Sequence, residues 1–368
     1  MAKFSNKKVH NASSILRDKN NGNDSELFDH AMQILSYWRF THESSLDSAT
    51  KLLESKCEKI DKSFIVGKRL KRSESIINKL VRFEAMSLRN MSDIGGARAI
   101  VSNIKRVNKV VREIQAHPSI YRKRDYINKP KEDGYRGVHL LGEFLNNEKQ
   151  KRKIEIQIRT KIQHSWATTI EIVDLFTSQS LKSNIGHQDW KEFFLLIAKQ
   201  FNIIELLPEY GMVSDKELLF KYAKFVNKDS QFLKEIGRIK EISLHLNIRQ
   251  NLLVYAESLK RIDISNAKDL EGYYLLRLNT FTREIWGDFY SKNDAKSATE
   301  HYSFFESAIK NSENRWVVVL VSSNSVDDIK DVYPNYFADS AYFINLLNMI
   351  HFVNTKNHYR STKSVLMV

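Results

Sequence analysis

The hydrophobic pattern is most informative between Lys153 and Arg159, where polar and apolar residues alternate. Side chains alternate between the two faces of a β-strand, so this segment predicts a strand with three isoleucines on one face. The other face carries Glu155, Gln157 and Arg159. In a cleft, these groups would offer a carboxylate, an amide and a guanidinium to a metal ion and to anionic oxygens. The alternative is the solvated face of an ordinary half-buried sheet.

A second segment with an acid at its start is also predicted to be a strand. Gly95 and Gly96 allow a tight bend before the apolar run at residues 97–101, which predicts a buried strand with Asp93 at its mouth. Mg²⁺ prefers hard oxygen ligands and commonly takes one or two carboxylates together with substrate phosphates. Asp93 and Glu155, at the mouths of neighbouring strands, are therefore candidate Mg²⁺ ligands.

A basic segment with aromatic residues spans positions 122–145. The turn at residues 132–134 leads into an alternating strand on which Tyr135, Gly137 and His139 share one face. A tyrosine ring can stack on a base, while histidine and nearby lysines can donate to phosphate. The pattern indicates contact with a nucleotide or a nucleic acid. A basic surface hairpin with a packed tyrosine is the alternative.

Helical spacing of apolar residues dominates the flanks of this central part. It predicts helices within residues 23–58, a helix capped by Ser73, and one long helix over residues 229–262. After residue 267 the pattern changes to two strands, a helix at residues 295–310 and a buried strand in RWVVVLVSS. This change indicates a small C-terminal α+β module.

Composition places the chain among globular proteins. Its 368 residues are 42% hydrophobic and 28% charged, and they suffice for two domains. No apolar run approaches the length of a membrane span, and the N-terminus lacks the apolar core of a secretory signal. The single cysteine, Cys57, excludes intrachain disulfides and a cysteine-based zinc site. A reducing cytoplasmic location is expected.

Charge is unevenly distributed along the chain, whose net charge is +14. Residues 263–350 contain 8 Lys+Arg and 13 Asp+Glu, a net charge of −5, which leaves +19 on the rest. A basic body with an acidic attachment fits an RNA-binding enzyme that carries its own electrostatic competitor.

Four ordered motifs resemble the synthetase domain of the RelA/SpoT family. They are RLKRSESIINKL at residues 69–80, DIGGAR at 93–98, DYINKPKEDGYRGVH at 125–139, and EIQIRT with WATTIE within 155–171. The resemblance implies an α+β, nucleotidyltransferase-like fold, a mixed sheet flanked by helices, that transfers pyrophosphate from ATP to a ribose 3′-hydroxyl with Mg²⁺. The helical segment after this core resembles the toxic small alarmone synthetases, which modify the 3′-CCA end of tRNA and stop translation.

The resemblance also implies roles for individual residues. The group that would bind ATP comprises Arg69, Lys71, Lys79 and Arg98. The group that would hold the acceptor comprises Tyr135, His139, Arg159, Lys131 and Gln157. Asp93 and Glu155 would be the catalytic residues and metal ligands. Glu155 would either accept the proton of the 3′-hydroxyl or bind Mg²⁺, and the sequence leaves both roles open.

Two departures from the family pattern concern the acceptor. Where the family has Asn-Pro-Lys-Pro-Asn-Gly-Tyr, the chain has KPKEDGY at residues 129–135, and His164 stands where guanine-nucleotide-using synthetases tend to have asparagine. We therefore expect the tRNA acceptor end as substrate. A (p)ppGpp synthetase that uses GDP or GTP is the first alternative, and a non-catalytic RNA-binding or sensor protein is the second.

The C-terminal sequence resembles the regulatory part of fused toxin-antitoxin proteins of the CapRel type. By this resemblance, Tyr333 and Tyr336 form a Tyr-x-x-Tyr element in a pseudo zinc-finger module, which blocks the ATP site until a phage protein such as the major capsid protein binds. Tyrosines near a proline are otherwise usually packing residues. Partners would be ATP, tRNA and the phage protein, and neither membrane nor DNA.

The expected organisation has five parts. They are a flexible N-terminus at residues 1–22, the synthetase or toxin domain at 23–228, a connecting helix at 229–262, an antitoxin-like module at 263–353 and a tail at 354–368. The expected function is an autoinhibited pyrophosphokinase of antiviral defence.

Overall fold

One mixed β-sheet is the centre of the fold. The computed structural model describes residues 3–18, 25–177, 181, 186–208, 210–258, 262–264, 272–279, 282, 284–309, 316–323 and 340–353. The strands in this part of the chain are β1 Ile65–Leu70, β2 Gly95–Val101, β3 Ile120–Asp125, β4 Val138–Leu145, β5 Lys151–Thr160, β6 Ile262–Ile264, β7 Gly272–Asn279, β8 Glu284–Ser291 and β9 Trp316–Ser323. Their order across the sheet is β3-β4-β5-β2-β1-β9-β7-β8-β6.

Helices flank this sheet. They are α1 Asn6–Arg17, α2 Ser25–Phe40, α3 Glu43–Glu58, α4 Ser73–Arg82, α5 Ile104–Gln115, α6 Lys161–Thr177, α7 Gln188–Leu206, α8 Asp215–Val226, α9 Ser230–His245, α10 Ile248–Ser258, α11 Ala295–Ile309 and α12 Ala341–Phe352. The predicted α+β fold with a helix-flanked mixed sheet is confirmed. None of the helices that the structure describes combines the length and apolar character needed to cross a membrane.

The two faces of β5 have different surroundings. Ile154, Ile156 and Ile158 are fully buried with apolar residues of α3 and α5 in one core. The opposite face, with Glu155 and Gln157, borders a cleft that α6 also lines. The alternation in the sequence therefore separates a packing face from a face that lines the cleft.

Register explains how the two predicted acids come together. Strands β2 and β5 are parallel, with Gly95 opposite Ile154 and Gly96 opposite Glu155. Asp93 precedes β2 by two residues, so this register brings it to the same part of the sheet as Glu155. A side chain at Gly95 would clash with Ile154, because its Cβ would lie 2.6 Å from the Ile154 Cδ1 atom.

The flexible N-terminus predicted at residues 1–22 is wrong for α1. Ser5 caps this helix by accepting a hydrogen bond from the Lys8 backbone N–H. Val9, Ala12 and Leu16 then fall on one helical face and are buried in a core shared with α2 and α4. Their spacing was a helical signal in the sequence.

The C-terminal elements share the sheet and the core of the preceding part. Strand β9 pairs antiparallel with β1, with Arg69 opposite Val321. Phe343 of α12 packs edge-on against Phe201 of α7, with ring centroids 5.3 Å apart. The described C-terminal strands therefore extend the sheet formed by β1 to β5 instead of forming a sheet of their own.

Two other expectations fall in this region. In place of one connecting helix over residues 229–262, the structure has α9 and α10, separated at Asn247, whose φ of 47° is left-handed. A helix cannot continue through that conformation. Tyr333, Tyr336 and the tail at residues 354–368 lie outside the described residues.

Candidate functional site

A cleft of about 260 Å³ lies between the sheet and α6, and it gathers all the predicted donor, acceptor and metal residues. Those lining residues are Arg69, Lys71, Lys79, Asp93, Arg98, Lys131, Tyr135, His139, Glu155, Gln157 and Arg159. They come from β1, α4, β2, β4, β5 and the loops before α4, β2 and β4. Residues far apart in sequence thus form one polar surface.

Asp93 lies between two lysines on one side of the cleft. Its Oδ2 atom is 2.7 Å from Lys71 Nζ, and its Oδ1 atom is 2.8 Å from Lys79 Nζ. Burial alone would raise the pKa of Asp93, but the two ammonium groups outweigh it and hold the pKa below its ordinary value. Asp93 is therefore a carboxylate at neutral pH, and this side carries a net positive charge.

Glu155 belongs to a closed ring of hydrogen bonds on the other side. His139 Nδ1 lies 3.0 Å from Glu155 Oε1, and Tyr135 Oη lies 2.5 Å from His139 Nε2. Arg159 donates from Nε to Tyr135 Oη at 3.1 Å and from Nη2 to Gln157 Oε1 at 2.8 Å. Gln157 Nε2 closes the ring by donating to Glu155 Oε2 at 2.7 Å.

The hydrogen bonds of this ring determine which nitrogen of His139 carries a proton. Burial lowers the pKa of His139 and outweighs the opposing effect of Glu155, so the imidazole is neutral at pH 7. A neutral ring with its proton on Nδ1 donates to Glu155 and accepts from the Tyr135 hydroxyl, which satisfies every member. Burial opposes ionisation of Glu155, yet its interaction with His139 and the Gln157 hydrogen bond hold its pKa well below the usual range.

Tyr135 is covered by cations. The Lys131 ammonium lies 4.8 Å and the Arg159 guanidinium 5.0 Å from the centre of its ring. Lys131 also lies 4.9 Å from the ring of Tyr126. A base that stacks on the Lys131 side of Tyr135 must therefore displace the lysine. Burial, the largest influence, lowers the pKa of Lys131.

A buried ion pair supports the loop that carries Tyr135. Arg136 Nη1 lies 2.7 Å from Glu205 Oε2 of α7, and both side chains are buried. Gln163 Nε2 donates to the same oxygen at 3.0 Å, and the Thr160 hydroxyl donates to Glu205 Oε1. Charge pairing with additional hydrogen bonds compensates the burial of Glu205. The ends of β5 and α7 are thereby joined behind the cleft.

Several cleft residues were not predicted as site residues. They are Gly96, Ala97, Arg124, Tyr126, Asp133, Trp166, Ala167, Ile170 and Glu171. The members on α6 follow helical spacing, which was a usable signal once WATTIE was assigned to a helix facing the sheet. Arg124 and Tyr126 continue an alternation from the basic strand β3. The predicted hairpin therefore contributes more of the cleft than its motif alone indicated.

The cleft fits a metal ion that is shared with a substrate. Among the described residues, no group of three or more His, Cys, Asp and Glu side chains could hold a metal ion by itself. Asp93 and Glu155 nevertheless both line the cleft as carboxylates. Two hard oxygen donors completed by phosphate oxygens are a typical arrangement for Mg²⁺.

Comparison with known proteins identifies the class of this region. Residues 68–173 match the family described as a region found in RelA/SpoT proteins, and they include all eleven predicted cleft residues. The cleft therefore lies in the part of the chain that matches this family.

Individual relatives are named as GTP pyrophosphokinases or as small alarmone synthetases. The chain is 39% identical over 110 residues to the GTP pyrophosphokinase YwaC of Bacillus subtilis (strain 168), a match that covers 27% of this chain and 52% of that protein. The chain thus spans about half the length of this relative. Similar solved structures include the small alarmone synthetase 1 of Bacillus subtilis bound to its product pppGpp (23% identity, TM-score 0.38, 44% of this chain and 89% of that chain). Another is a GTP pyrophosphokinase family protein of Streptococcus pneumoniae, with 24% identity and a TM-score of 0.41. This match covers 50% of this chain and 97% of that chain.

Proposed function

We propose that this protein is a pyrophosphokinase that transfers the β,γ-pyrophosphate of ATP to a ribose 3′-hydroxyl. The observation that carries the proposal is the division of one cleft between a cationic half, with Asp93, Lys71 and Lys79, and a hydrogen-bonded half around Glu155. Phosphoryl-type transfer is catalysed mainly by positioning and charge neutralisation. Both requirements are supported by this arrangement.

The cationic half suits the donor. Lys71 and Lys79 would neutralise the triphosphate, and Arg69 and Arg98 on adjacent strands β1 and β2 would flank the adenine. Asp93 and Glu155 would hold Mg²⁺, which, when bound, neutralises charge on the transferred group. The low pKa values of both carboxyls support this role, because only their ionised forms bind a cation.

The hydrogen-bonded half suits the acceptor. The 3′-oxygen forms a bond to the β-phosphorus while the bond from that phosphorus to the oxygen bridging the α-phosphorus breaks, and AMP leaves. Glu155 would serve in one of two ways, as a ligand of Mg²⁺ or as the acceptor of the hydroxyl proton, and in the first case the proton passes to water. The depressed pKa makes Glu155 a weak base, so in either case its main contribution is to orient the reacting groups through an oxygen that His139 fixes.

We propose the 3′ end of tRNA as the acceptor. Arg122, Lys123 and Lys129 are exposed beside the cleft, on or just after the edge strand β3, while Arg124 and Lys131 line it. A free nucleotide has no phosphates beyond the cleft to contact the exposed cations, whereas an RNA strand does. This basic edge supports an acceptor that is longer than one nucleotide.

GDP or GTP is the second candidate acceptor. It is favoured by the identity of 39% with a protein named as a GTP pyrophosphokinase. The same cleft would then hold the guanine near Tyr135, and the exposed cations would only attract the nucleotide.

We further propose that the C-terminal region represses this activity until a phage protein binds. The pairing of β9 with β1, the strand that carries Arg69, supports communication between that region and the donor side. Tyr333 and Tyr336 are the proposed blocking residues.

The decisive experiment uses the full chain and a double variant, Tyr333→Ala with Tyr336→Ala. Each is incubated with Mg²⁺ and ATP labelled on the γ-phosphate, in separate tubes with bulk tRNA or with GDP and GTP. Label on tRNA, stronger with the variant, is the expected result. Label on guanosine nucleotides alone selects the second candidate. No transfer by either protein, with Mg-ATP binding verified by calorimetry, would overturn the enzymatic proposal in favour of a sensor.

A further inference from the structure

The helix that carries Lys79 is capped by a residue far away in sequence. At the N-terminus of α4, the Arg72 side chain makes no capping hydrogen bond. The prediction of Ser73 as the cap is wrong, because Ser73 is the first residue of the helix and its hydroxyl donates to Glu306 and accepts from Arg39. Its backbone N–H and its hydroxyl donate to Glu306 of α11 at 2.9 and 2.6 Å, across 233 residues of sequence. A carboxylate at this position satisfies free N–H groups and complements the positive end of the helix dipole.

Glu306 is also tied to a buried arginine. Arg39, only 2% exposed, places Nη1 3.5 Å from Glu306 Oε2 and donates from Nη1 to Ser73 Oγ at 3.2 Å. Its Nε donates to the Lys71 backbone carbonyl at 2.8 Å. The guanidinium therefore links Glu306 directly to the main chain of a cleft lysine. Removal of the carboxylate would leave this buried cation without its counter-ion.

Tyr302, one helical turn before Glu306, completes the cluster. Its ring centre is 4.7 Å from the Arg39 guanidinium carbon, and its hydroxyl donates to Glu306 Oε1. Burial raises the pKa of Tyr302, and the Glu306 carboxylate raises it further against the effect of Arg39. The phenol therefore stays protonated and remains a donor that fixes Glu306.

The cluster lies behind the donor half of the cleft. Glu306, Ser73 and Arg39 do not line the cleft, but they hold the start of α4 and the carbonyl of Lys71. Lys79 lies six residues into α4, and Lys71 immediately precedes the helix cap. Both lysines contact Asp93. A shift of the helix start would therefore move both ammonium groups relative to that carboxylate.

We propose that Glu306 is a positioning residue for the ATP-binding lysines, so that the C-terminal region completes the donor site as well as regulating it. This inference rests on the proposed function, because it takes Lys71 and Lys79 as ligands of ATP phosphates. A purely inhibitory C-terminal region would give tighter ATP binding when its contacts are broken. A completing contact gives weaker binding when it is broken.

The test measures the Kd of Mg-ATP by calorimetry for the full chain and for Glu306→Ala, Glu306→Gln and the control Glu300→Gln. Glu300 is exposed on the same helix. We expect Glu306→Ala to raise the Kd about tenfold, because a charge-assisted cap and a buried counter-ion are lost together. Glu306→Gln, which keeps an oxygen for Ser73, should have a smaller effect, and the control none. Steady-state rates should show a raised KM for ATP with an unchanged KM for the acceptor.

An unchanged or lowered Kd in a folded Glu306→Ala protein would overturn the inference. If that variant does not fold, Tyr302→Phe takes its place, since it removes only the hydroxyl donated to Glu306, and an increase of about twofold is expected. Equal ATP affinity of Tyr302→Phe and the parent would then reject the proposal. If neither the parent nor the double variant Tyr333→Ala with Tyr336→Ala binds Mg-ATP, the proposed function itself fails and the inference with it.

Discussion

The two halves of the cleft hold their essential carboxylates by different physical means. Asp93 is held by two ammonium groups, whereas Glu155 is held by His139 and Gln157 in a ring whose one cation, Arg159, is not in contact with it. Lysine side chains are flexible and act as point charges, while the ring fixes directions. The proposed donor half thus holds its carboxylate by charge, and the proposed acceptor half holds its carboxylate by directed hydrogen bonds. This division agrees with a reaction in which a flexible triphosphate meets one hydroxyl.

The largest expected effect comes from the geometric half. Glu155→Gln places an amide where His139 and Gln157 both donate, so one donor must face another. We expect kcat for pyrophosphate transfer to fall by about 10²–10⁴-fold. Initial rates are compared with those of Glu143→Gln, a carboxylate on the same sheet face outside the main cleft. Equal rates in the two variants would exclude Glu155 from the chemistry.

In the charged half, removal of the carboxylate should change ATP affinity in opposite directions with and without Mg²⁺. Asp93→Asn takes away a metal ligand but frees Lys71 and Lys79 from their counter-ion. We expect Mg-ATP affinity to fall about tenfold, and ATP affinity in excess chelator to rise by a smaller factor. Calorimetry with and without Mg²⁺ checks both signs. A fall under both conditions would indicate that Asp93 only holds the lysines in place.

Acid should distinguish the two halves through protein stability. The folded-state pKa of His139 is below its ordinary 6.5, and that of His42 is lowered to about 3 by burial. These groups take up protons on unfolding, so stability is complete above pH 6.5 and falls at lower pH. The slope approaches about 1.4 kcal/mol per pH unit for His42, and His139 adds to it.

Denaturant unfolding between pH 7 and 5 measures this slope. His139→Gln should reduce it, while Asp93→Asn should leave it unchanged, because Asp93 stays ionised in both states over that range. An equal slope in the parent and His139→Gln would mean that the imidazole is already charged in the folded ring.

The smallest effect should come from a ring member that only orients Glu155. Gln157→Ala removes one hydrogen bond to the carboxylate and one acceptor for Arg159. A loss of about 1 kcal/mol corresponds to roughly fivefold in kcat. An unchanged kcat in Gln157→Ala would assign Gln157 to packing alone.

Local sequence patterns predicted the cleft but not its support. The alternation of β5 separated Glu155 from Ile154, and the motifs supplied other lining residues such as Lys71 and Arg98. The cap of α4 could not be found in this way, because Ser73 looks like a cap and its real partner, Glu306, is one of many acids on a distant helix. Ion pairs between remote elements leave no periodic signal.

Strand order was hidden for a related reason. The sequence of β9 predicted a buried strand, and the change of pattern after residue 267 suggested a separate small module. Pairing between β1 and β9 depends on which sheet edge is free after folding, which no local propensity encodes. Tyr126 and Arg124 were likewise missed because they only extend a basic run.

The long separation between Ser73 and Glu306 has a consequence for biosynthesis. At roughly 5–20 residues per second, the ribosome needs on the order of 10–50 s to translate the 233 residues between them. Throughout most of that interval the nascent chain lacks Glu306, which caps α4, and β9, which pairs with β1. A chain released before residue 306 would therefore carry the start of α4 without the carboxylate that binds it.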